Sequence, residues 1–154
     1  MVYKYTFSVT GNNLFPQKTL DNIQGDFIAI SHFSPTDRKF IGQDSVYGYG
    51  GISFWHPYKF ATEDQVITYE KAFVEFIEQN HALFFQSGGD KLEIYLEIYY
   101  DGGQCNFEVF NKELLSNLAK FGISLPISIY ILEENKLEDW ENEISLVWKL
   151  PAGI

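Results

Sequence analysis

Hydrophobic and polar residues alternate along several stretches of the chain, which is the pattern of β-strands with one buried face. The most regular alternation runs from Lys91 to Tyr100, and similar stretches run from Tyr3 to Gly11 and from Phe27 to Phe33. Shorter strands are predicted to begin at Ile52 and directly after Pro126. The pattern therefore predicts a sheet whose apolar face is covered by other elements.

Two further strands are predicted from the same alternation. Asp101-Gly102-Gly103 provides residues that tolerate the positive φ angles of a tight turn, so a β-hairpin is expected after Tyr100. Its second strand would carry Cys105, Phe107 and Val109. A last strand is expected near residue 150, with one face formed by Ile144, Leu146, Trp148 and Leu150.

Helical spacing of apolar residues predicts one long and two short helices. The long helix is expected to follow a capping box at Thr62 to Gln65 and to end at Ser87-Gly88-Gly89. One short helix is expected to begin at Pro16, which suits a first helical turn. The other is expected to follow Asn111 as its N-cap and to end at Gly122.

These elements predict a single α+β domain over residues 1–154, with a largely antiparallel or mixed β-sheet on which the three helices pack. Residues 3–132 would form the body, and residues 133–154 an acidic C-terminal segment plus the last strand. The segment from Ser34 to Gly51 is predicted to be a long mobile loop with one short strand near Lys39 to Ile41. With 154 residues, the chain is long enough to bury a substantial core.

The charge of the chain narrows the classes of partner. Its 21 acidic residues outnumber its 11 Lys and Arg residues, which gives a net charge of −10. Nucleic acids and anionic membranes repel such a protein, whereas a basic protein attracts it. The N-terminal segment alternates like a strand instead of resembling a signal peptide, and the chain has one cysteine. The N-terminal segment and the single cysteine therefore predict a cytoplasmic protein. The acidity favours a basic protein partner, although a need for solubility alone would also account for it.

Candidate catalytic and metal-binding residues are few and scattered. His32, His56 and His81 lie far apart in the sequence, whereas metal sites draw on clustered ligands. Cys105 lies on a predicted apolar strand face, which favours an inert thiol. Glu93 and Glu97 would lie about 13 Å apart on one strand face, farther than the roughly 5 to 9.5 Å of glycosidase pairs. The sequence therefore gives no catalytic residue, metal site or cofactor.

The best candidate for a binding surface is the acidic segment after residue 132. Acidic side chains that surround one aromatic residue are typical of surfaces that attract and then hold a basic partner. The candidate contacts are Glu133, Glu134, Glu138, Asp139, Trp140 and Glu141. A second candidate contact is the loop with Tyr47 and Tyr49, because Tyr and Gly suit adaptable binding surfaces. A polar surface hairpin or helix without a binding role also accounts for the acidic segment.

Four parts of the sequence follow the order of elements in a known family. They are "FSVTGNNLFPQKTLDNI", the Trp55 strand after a glycine-rich loop, the long helix before "LEIYLEIYYDGG", and "FEVFNKELLSNLAKFGISLPISIYIL". Through them the chain resembles the bacterial domain-of-unknown-function family 4279 over residues 3–132, most closely from Leu114 to Tyr130. Domains of this kind are similar to small immunity proteins encoded beside polymorphic toxins, and the resemblance implies no catalytic residue.

The resemblance and the acidity together predict a cytoplasmic immunity protein that blocks the active site of a basic toxin domain. If the toxin is a nuclease, its substrate channel would attract carboxylates that mimic phosphates. Two other classes remain open. One is a small hydrolase that uses His56 or Cys105, and the other is a structural or ligand-binding module that acts through its aromatic loop.

Overall fold

The structure is a computed structural model that describes residues 1–40, 42 and 44–149. In these residues the chain forms a mixed six-stranded β-sheet and four helices. The strands are β1 (Val2–Gly11), β2 (Ile28–Phe33), β3 (Gly50–Trp55), β4 (Ala61–Thr62), β5 (Lys91–Tyr100) and β6 (Ile127–Ile131). The helices are α1 (Pro16–Leu20), α2 (Val66–Gln86), α3 (Lys112–Ala119) and α4 (Glu134–Trp148). The predicted α+β class is confirmed.

The sheet is arranged around β1. Its strand order is β2-β3-β1-β5-β6, and the short β4 pairs with the first residues of β1. β1 runs antiparallel to both β3 and β5, so that Phe7 lies opposite Phe54 on one side and Ile94 on the other. β6 runs parallel to β5, which makes the sheet mixed.

The main core lies between the sheet and α2. The odd-numbered residues of β1 and the even-numbered residues of β5 share the face that α2 covers, as their alternation predicts. Aromatic rings fill this layer: Phe7 lies 5.3 Å from Phe84, and Tyr5 lies 5.7 Å from Phe73, between ring centroids. All four side chains are fully buried, so this layer accounts for much of the apolar burial that stabilises the fold.

A buried carboxylate ties the segment before α3 to this core. Glu70 of α2 is only 3% exposed, and its Oε1 accepts hydrogen bonds from the Tyr5 hydroxyl at 2.8 Å and from the Phe110 N–H at 2.9 Å. Desolvation raises the pKa of Glu70, which favours its neutral form in the folded protein. Phe110, whose N–H makes the second of these bonds, has a left-handed backbone conformation with φ of 51°.

The predicted hairpin after Tyr100 is wrong. No strand is formed by residues 101–111, and the chain instead crosses over through α3 to the parallel strand β6. Both sides of β5 are occupied, by β1 and by β6, so a returning strand has no edge on which to pair. The apolar side chains of Phe107 and Val109 pack against the main core from this crossover segment, and Cys105 is half-buried.

The predicted last strand is also wrong, because residues 134–148 form α4. The alternation of Ile144, Leu146 and Trp148 suggested a strand, but Leu146 is 64% exposed. The spacing that matters is that of Leu137 and Ile144, which lie two helical turns apart and are both buried. The remaining residue predicted for that strand, Leu150, lies outside the described residues.

The predicted ends of the helices are confirmed in part: α1 begins at Pro16 and α2 ends directly before Ser87, but α3 ends at Ala119 instead of Gly122, and no side-chain hydrogen bond caps α2. The Asn111 side chain accepts hydrogen bonds from the N–H groups of Glu113 and Leu114, both at 3.1 Å, and so caps α3. At the start of α2, the Gln65 side chain accepts the Thr62 N–H at 2.9 Å, which is one half of the capping box. α2 ends before Gly88, where φ is +95° and a Cβ would lie 2.1 Å from a backbone oxygen.

The loop between β2 and β3 contains less strand than predicted. A single bridge joins Arg38 to Val46, and the N–H of Lys39 donates to the carbonyl of Ser45 at 3.0 Å. The short strand predicted near Lys39 to Ile41 is therefore reduced to this bridge in the described residues; Ile41 itself lies outside them.

Candidate partner-binding surface

The acidic segment is a helix held firmly across one end of the sheet. Leu137 and Ile144 of α4 are buried against Val2, the first residue of β1. Trp148 packs against both the main core and this small cluster of Val2, Leu137 and Ile144. Its indole N–H donates to the carbonyl of Phe60 at 2.8 Å. α4 is therefore positioned by the body of the protein and presents its charged residues in a fixed geometry.

One flank of α4 forms a groove lined by carboxylates. Glu134, Glu138 and Glu141 fall on this flank because residues three and four apart are neighbours on a helix. Glu63 before α2 and Asp101 after β5 line the same groove, whose volume is about 490 Å³. We call these five side chains the acidic groove. A smaller depression that also contains Asp64 adjoins it through Glu63 and Glu141.

Few cations neutralise the acidic groove. Among its members, Glu141 contacts the Met1 ammonium group. In the described residues, no lysine or arginine forms an ion pair with Glu63, Asp101, Glu134 or Glu138. Among the residues that the structure describes, no group of three or more His, Cys, Asp or Glu residues could hold a metal ion. The carboxylates are therefore spread over a surface, which suits a large cationic partner better than one ion.

The other predicted acidic contacts lie around the groove rather than in it. Glu133 is the residue before α4, and it pairs with Lys136 at 2.9 Å. Asp139 is exposed and follows Glu138 by one residue, which turns it about 100° around the helix. The structure thus brings three of the five predicted carboxylates together and leaves these two on neighbouring surface.

Trp140 is partly buried, and its ring is fixed by two others. The ring centroid lies 4.7 Å from that of Phe60 and 5.0 Å from that of Tyr99. The remaining surface of Trp140 lines an apolar groove of about 300 Å³ together with Tyr58 and Val147. Trp140 therefore lies on the apolar flank of α4, and the buried residues Leu137 and Ile144 separate this flank from the acidic flank.

The predicted tyrosine loop lies at the other end of the sheet. Tyr47 stacks on Phe33 with ring centroids 4.2 Å apart, and Tyr49 meets the same ring edge-on at 5.2 Å. Phe33 pairs with Gly51, which lies opposite Thr10 near the end of β1. Because α4 packs at the first residue of β1, the two predicted contacts are separated by most of a ten-residue strand, roughly 30 Å.

Two carboxylates of the acidic groove were not predicted from the sequence. The sequence indicates Glu63 only as part of a capping box and Asp101 only as part of a turn. The pairing of Val2 with both Thr62 and Tyr99 brings the neighbours of these two residues to the end of β1. Because that proximity depends on strand register, local sequence spacing carries no signal for it.

The residues considered for catalysis line different clefts. His56 borders a cleft with Asp26 and Glu75, whereas Cys105 borders the acidic groove. The His56 Nδ1 accepts the Tyr58 N–H at 3.0 Å, and desolvation lowers the pKa of the ring. His56 also stacks on Trp148 with centroids 5.6 Å apart, as a structural histidine does.

Comparisons with known proteins add no relative. No protein-family model, no curated protein and no solved structure matches the chain. Within the described residues, no helix is long and apolar enough to cross a membrane. What the chain does must therefore be argued from the surface just described.

Proposed function

We propose that the chain is a cytoplasmic immunity protein, which binds a cognate bacterial toxin domain and blocks its active site. The observation that carries this proposal is the convergence of five carboxylates from three separate segments on the acidic groove. The resemblance of residues 3–132 to family 4279 and the net charge of −10 support it further. In this role the chain inhibits by binding and performs no reaction of its own.

The acidic groove would act first through long-range attraction. A surface with several unpaired carboxylates creates a negative potential that speeds association with a basic protein, most strongly at low salt. A nuclease presents such a basic surface where it binds phosphates, so the carboxylates would occupy the places of substrate phosphates. The toxin's own substrate would then be excluded from its channel.

The apolar groove beside Trp140 would hold the partner after encounter. Its lining includes Tyr58, Phe60 and Val147, and Val147 is 48% exposed. Buried aromatic side chains at the centre of an interface contribute much of the binding free energy. Since Phe60 and Tyr99 already fix the Trp140 ring, little side-chain entropy would be lost on binding.

The proposal is tested by affinity capture from the native host with matched charge variants. The wild-type bait is compared with Glu134→Lys/Glu138→Lys, which reverses two unpaired groove carboxylates. The control is Glu75→Lys/Glu78→Lys, which changes the net charge equally on the exposed side of α2. We expect a basic partner to be captured by the wild type and the control, and capture to fall at least about tenfold with the groove variant.

Two results would contradict the proposal. One is equal capture of the same partner by all three baits, which would remove the acidic groove from the interface. The other is a captured partner that does not impair growth when it is expressed alone, since an immunity protein requires a harmful target.

A ligand-binding module is the second candidate, and one observation favours it. Phe33, Tyr47 and Tyr49 form a cluster of rings with one stacked and two edge-on contacts, and Tyr49 is 41% exposed. Such a cluster resembles the aromatic platforms of small-ligand sites. Under this alternative, substitution of Tyr47 and Tyr49 by Ala abolishes function, while Glu134→Lys/Glu138→Lys leaves it unchanged.

A further inference from the structure

The last strand of the sheet, β6, is an open and apolar edge. In the described residues no strand pairs with its outer side. Ile127, Ile129 and Ile131 are 51%, 50% and 68% exposed. The parallel register places Ile127 beside Leu96 and Ile129 beside Ile98, and both of these partners are buried. The three isoleucines therefore extend the apolar face of the sheet beyond the helices that cover it.

The outward backbone groups of β6 belong to the same three isoleucines. The Pro126 carbonyl accepts the N–H of Leu96 at 2.9 Å. The Leu132 N–H donates to the carbonyl of Tyr100 at 2.8 Å, so β6 bonds to β5 through its even-numbered residues. Because backbone groups alternate in direction along a strand, the odd-numbered residues direct their N–H and C=O groups outward. A further strand can bond to this row, whereas a register shift interrupts the other edge strand, β2.

Carboxylates of the acidic groove lie at the carboxyl end of β6. Asp101 directly follows β5, and Glu134 begins α4 three residues after β6 ends. Both line the acidic groove together with Glu138. A Cβ on Gly102, the neighbour of Asp101, would lie 3.0 Å from the Ile131 side chain. The apolar row of β6 and the acidic groove therefore meet at Ile131 and form one continuous surface.

The charges at this end of β6 determine which kind of strand the edge can hold. Residues 124–132 carry no charge, so the edge itself neither attracts nor repels a partner. A second copy of the chain would bring its own net charge of −10 to the carboxylates and would be repelled. A strand of a basic protein is attracted instead, because its lysines or arginines can lie over the groove while its backbone bonds to β6.

We propose that a strand of the basic toxin domain pairs antiparallel with β6 and places basic residues over Asp101, Glu134 and Glu138. An antiparallel strand begins beside Ile131, so the residues just before it lie nearest to the groove. The main-chain hydrogen bonds supply affinity, and the three isoleucines contact alternate side chains of the added strand. This inference rests on the proposed function, because it names the element of the toxin that contacts the chain.

Two synthetic peptides test the pairing without the toxin. Both contain the same alternating threonine–isoleucine strand with blocked ends, and two lysines either precede or follow it. Fluorescence anisotropy should show that the peptide with leading lysines binds the full chain at least about tenfold more tightly, because only its charges reach the groove. Glu134→Lys/Glu138→Lys should remove this preference, and the Glu75→Lys/Glu78→Lys control should retain it.

Ile129→Pro tests the backbone contact directly. The substitution removes an outward N–H and no bond to β5, as is usual for proline on an edge strand. It should weaken binding of the peptide with leading lysines about tenfold. Ile129→Val keeps the N–H and a β-branched side chain, so its affinity should stay within about twofold of the wild type.

Hydrogen exchange of the wild type keeps the test decisive if Ile129→Pro does not fold. The amides of Ile127, Ile129 and Ile131 should gain protection when the peptide with leading lysines binds. Equal affinity of the two peptides overturns the proposal, and so does unchanged exchange of these amides. Binding of neither peptide overturns it as well.

Failure of this proposal is distinguishable from failure of the proposed function. If neither peptide binds while a harmful basic partner is captured through the acidic groove, the pairing with β6 is wrong and the immunity function stands. If the peptide with leading lysines binds while no harmful partner is captured, the toxin is wrong and a basic strand remains the ligand of β6.

Discussion

The layer beneath α2 and the end of the sheet beneath α4 differ in which side chains they bury. Beneath α2, rings such as Phe7 and Phe73 are fully buried, and the one buried carboxylate, Glu70, receives two hydrogen bonds. Beneath α4 only Leu137 and Ile144 are buried on the helix, and its carboxylates remain exposed or half-exposed. The first region maintains the fold, whereas the second displays charge at little cost in stability. Substitutions should therefore separate stability from binding.

The largest effect is expected in the α2 layer. Phe73→Ala removes a fully buried ring that packs against Tyr5, Phe27 and Tyr69. Such truncations leave a cavity and cost about 3–5 kcal/mol of unfolding free energy. Urea denaturation measures the loss. Leu146→Ala on the exposed side of α4 is the control and should stay within about 0.5 kcal/mol; equal losses for the two variants would contradict the comparison.

A smaller loss is expected where α4 is attached. Trp148→Ala removes a half-buried ring together with its hydrogen bond to Phe60. We expect roughly 2 kcal/mol, because the side chain keeps part of its surface in water. In the Trp148→Ala variant, amide hydrogen exchange should show that the amides of α4 lose protection before those of the sheet. If α4 amides stayed as protected as those of β1, the helix would not depend on this contact.

Glu70 allows the α2 layer to be examined through pH. Burial raises its folded-state pKa above the ordinary value of 4.5, so the protonated form is favoured in the native state. The contribution of this carboxyl to stability is therefore complete below about pH 4.5 and is lost as pH rises through the folded pKa. Glu70→Gln retains an oxygen acceptor for Tyr5 and Phe110 but cannot ionise.

The stability of Glu70→Gln relative to the wild type should increase as pH rises above about 4.5 and then level off. Urea denaturation at a series of pH values measures the difference between the two proteins, which cancels the effect of the other carboxylates. A difference that is independent of pH would show that Glu70 titrates alike in the folded and unfolded states.

The smallest effect on stability is expected in the acidic groove. Glu134→Lys/Glu138→Lys changes side chains that form no ion pair in the described residues. Removing repulsion among neighbouring carboxylates offsets the weaker interaction of a lysine with the helix N-terminus. The unfolding free energy should change by less than about 1 kcal/mol. Thermal unfolding measures it, and a larger loss would make the groove a structural feature.

Regular alternation made most of the sheet predictable. β1 and β5 follow it residue by residue, and the burial of Phe7, Leu92 and Ile94 is what the pattern requires. The capped helices were predictable for a related reason, since the Asn111 side chain satisfies backbone donors within three residues of itself. These features depend on interactions that are local in the sequence.

The predictions from sequence were wrong or incomplete for segments whose structure depends on an element distant in the sequence. Cys105, Phe107 and Val109 alternate like a strand, but β6 occupies the edge on which they would pair. The acidic groove was only half predictable for the same reason. Glu134, Glu138 and Glu141 follow helical spacing, whereas Glu63 and Asp101 reach the groove through the register of β4 and β5 with β1.

A growth-rescue assay tests most directly the claim that the acidic groove neutralises a toxin. Cells that express the captured partner are supplied with the wild type, with Glu134→Lys/Glu138→Lys, or with the Glu75→Lys/Glu78→Lys control. We predict that the wild type and the control restore growth and that the groove variant, although folded, does not. Equal rescue by all three proteins would contradict the account.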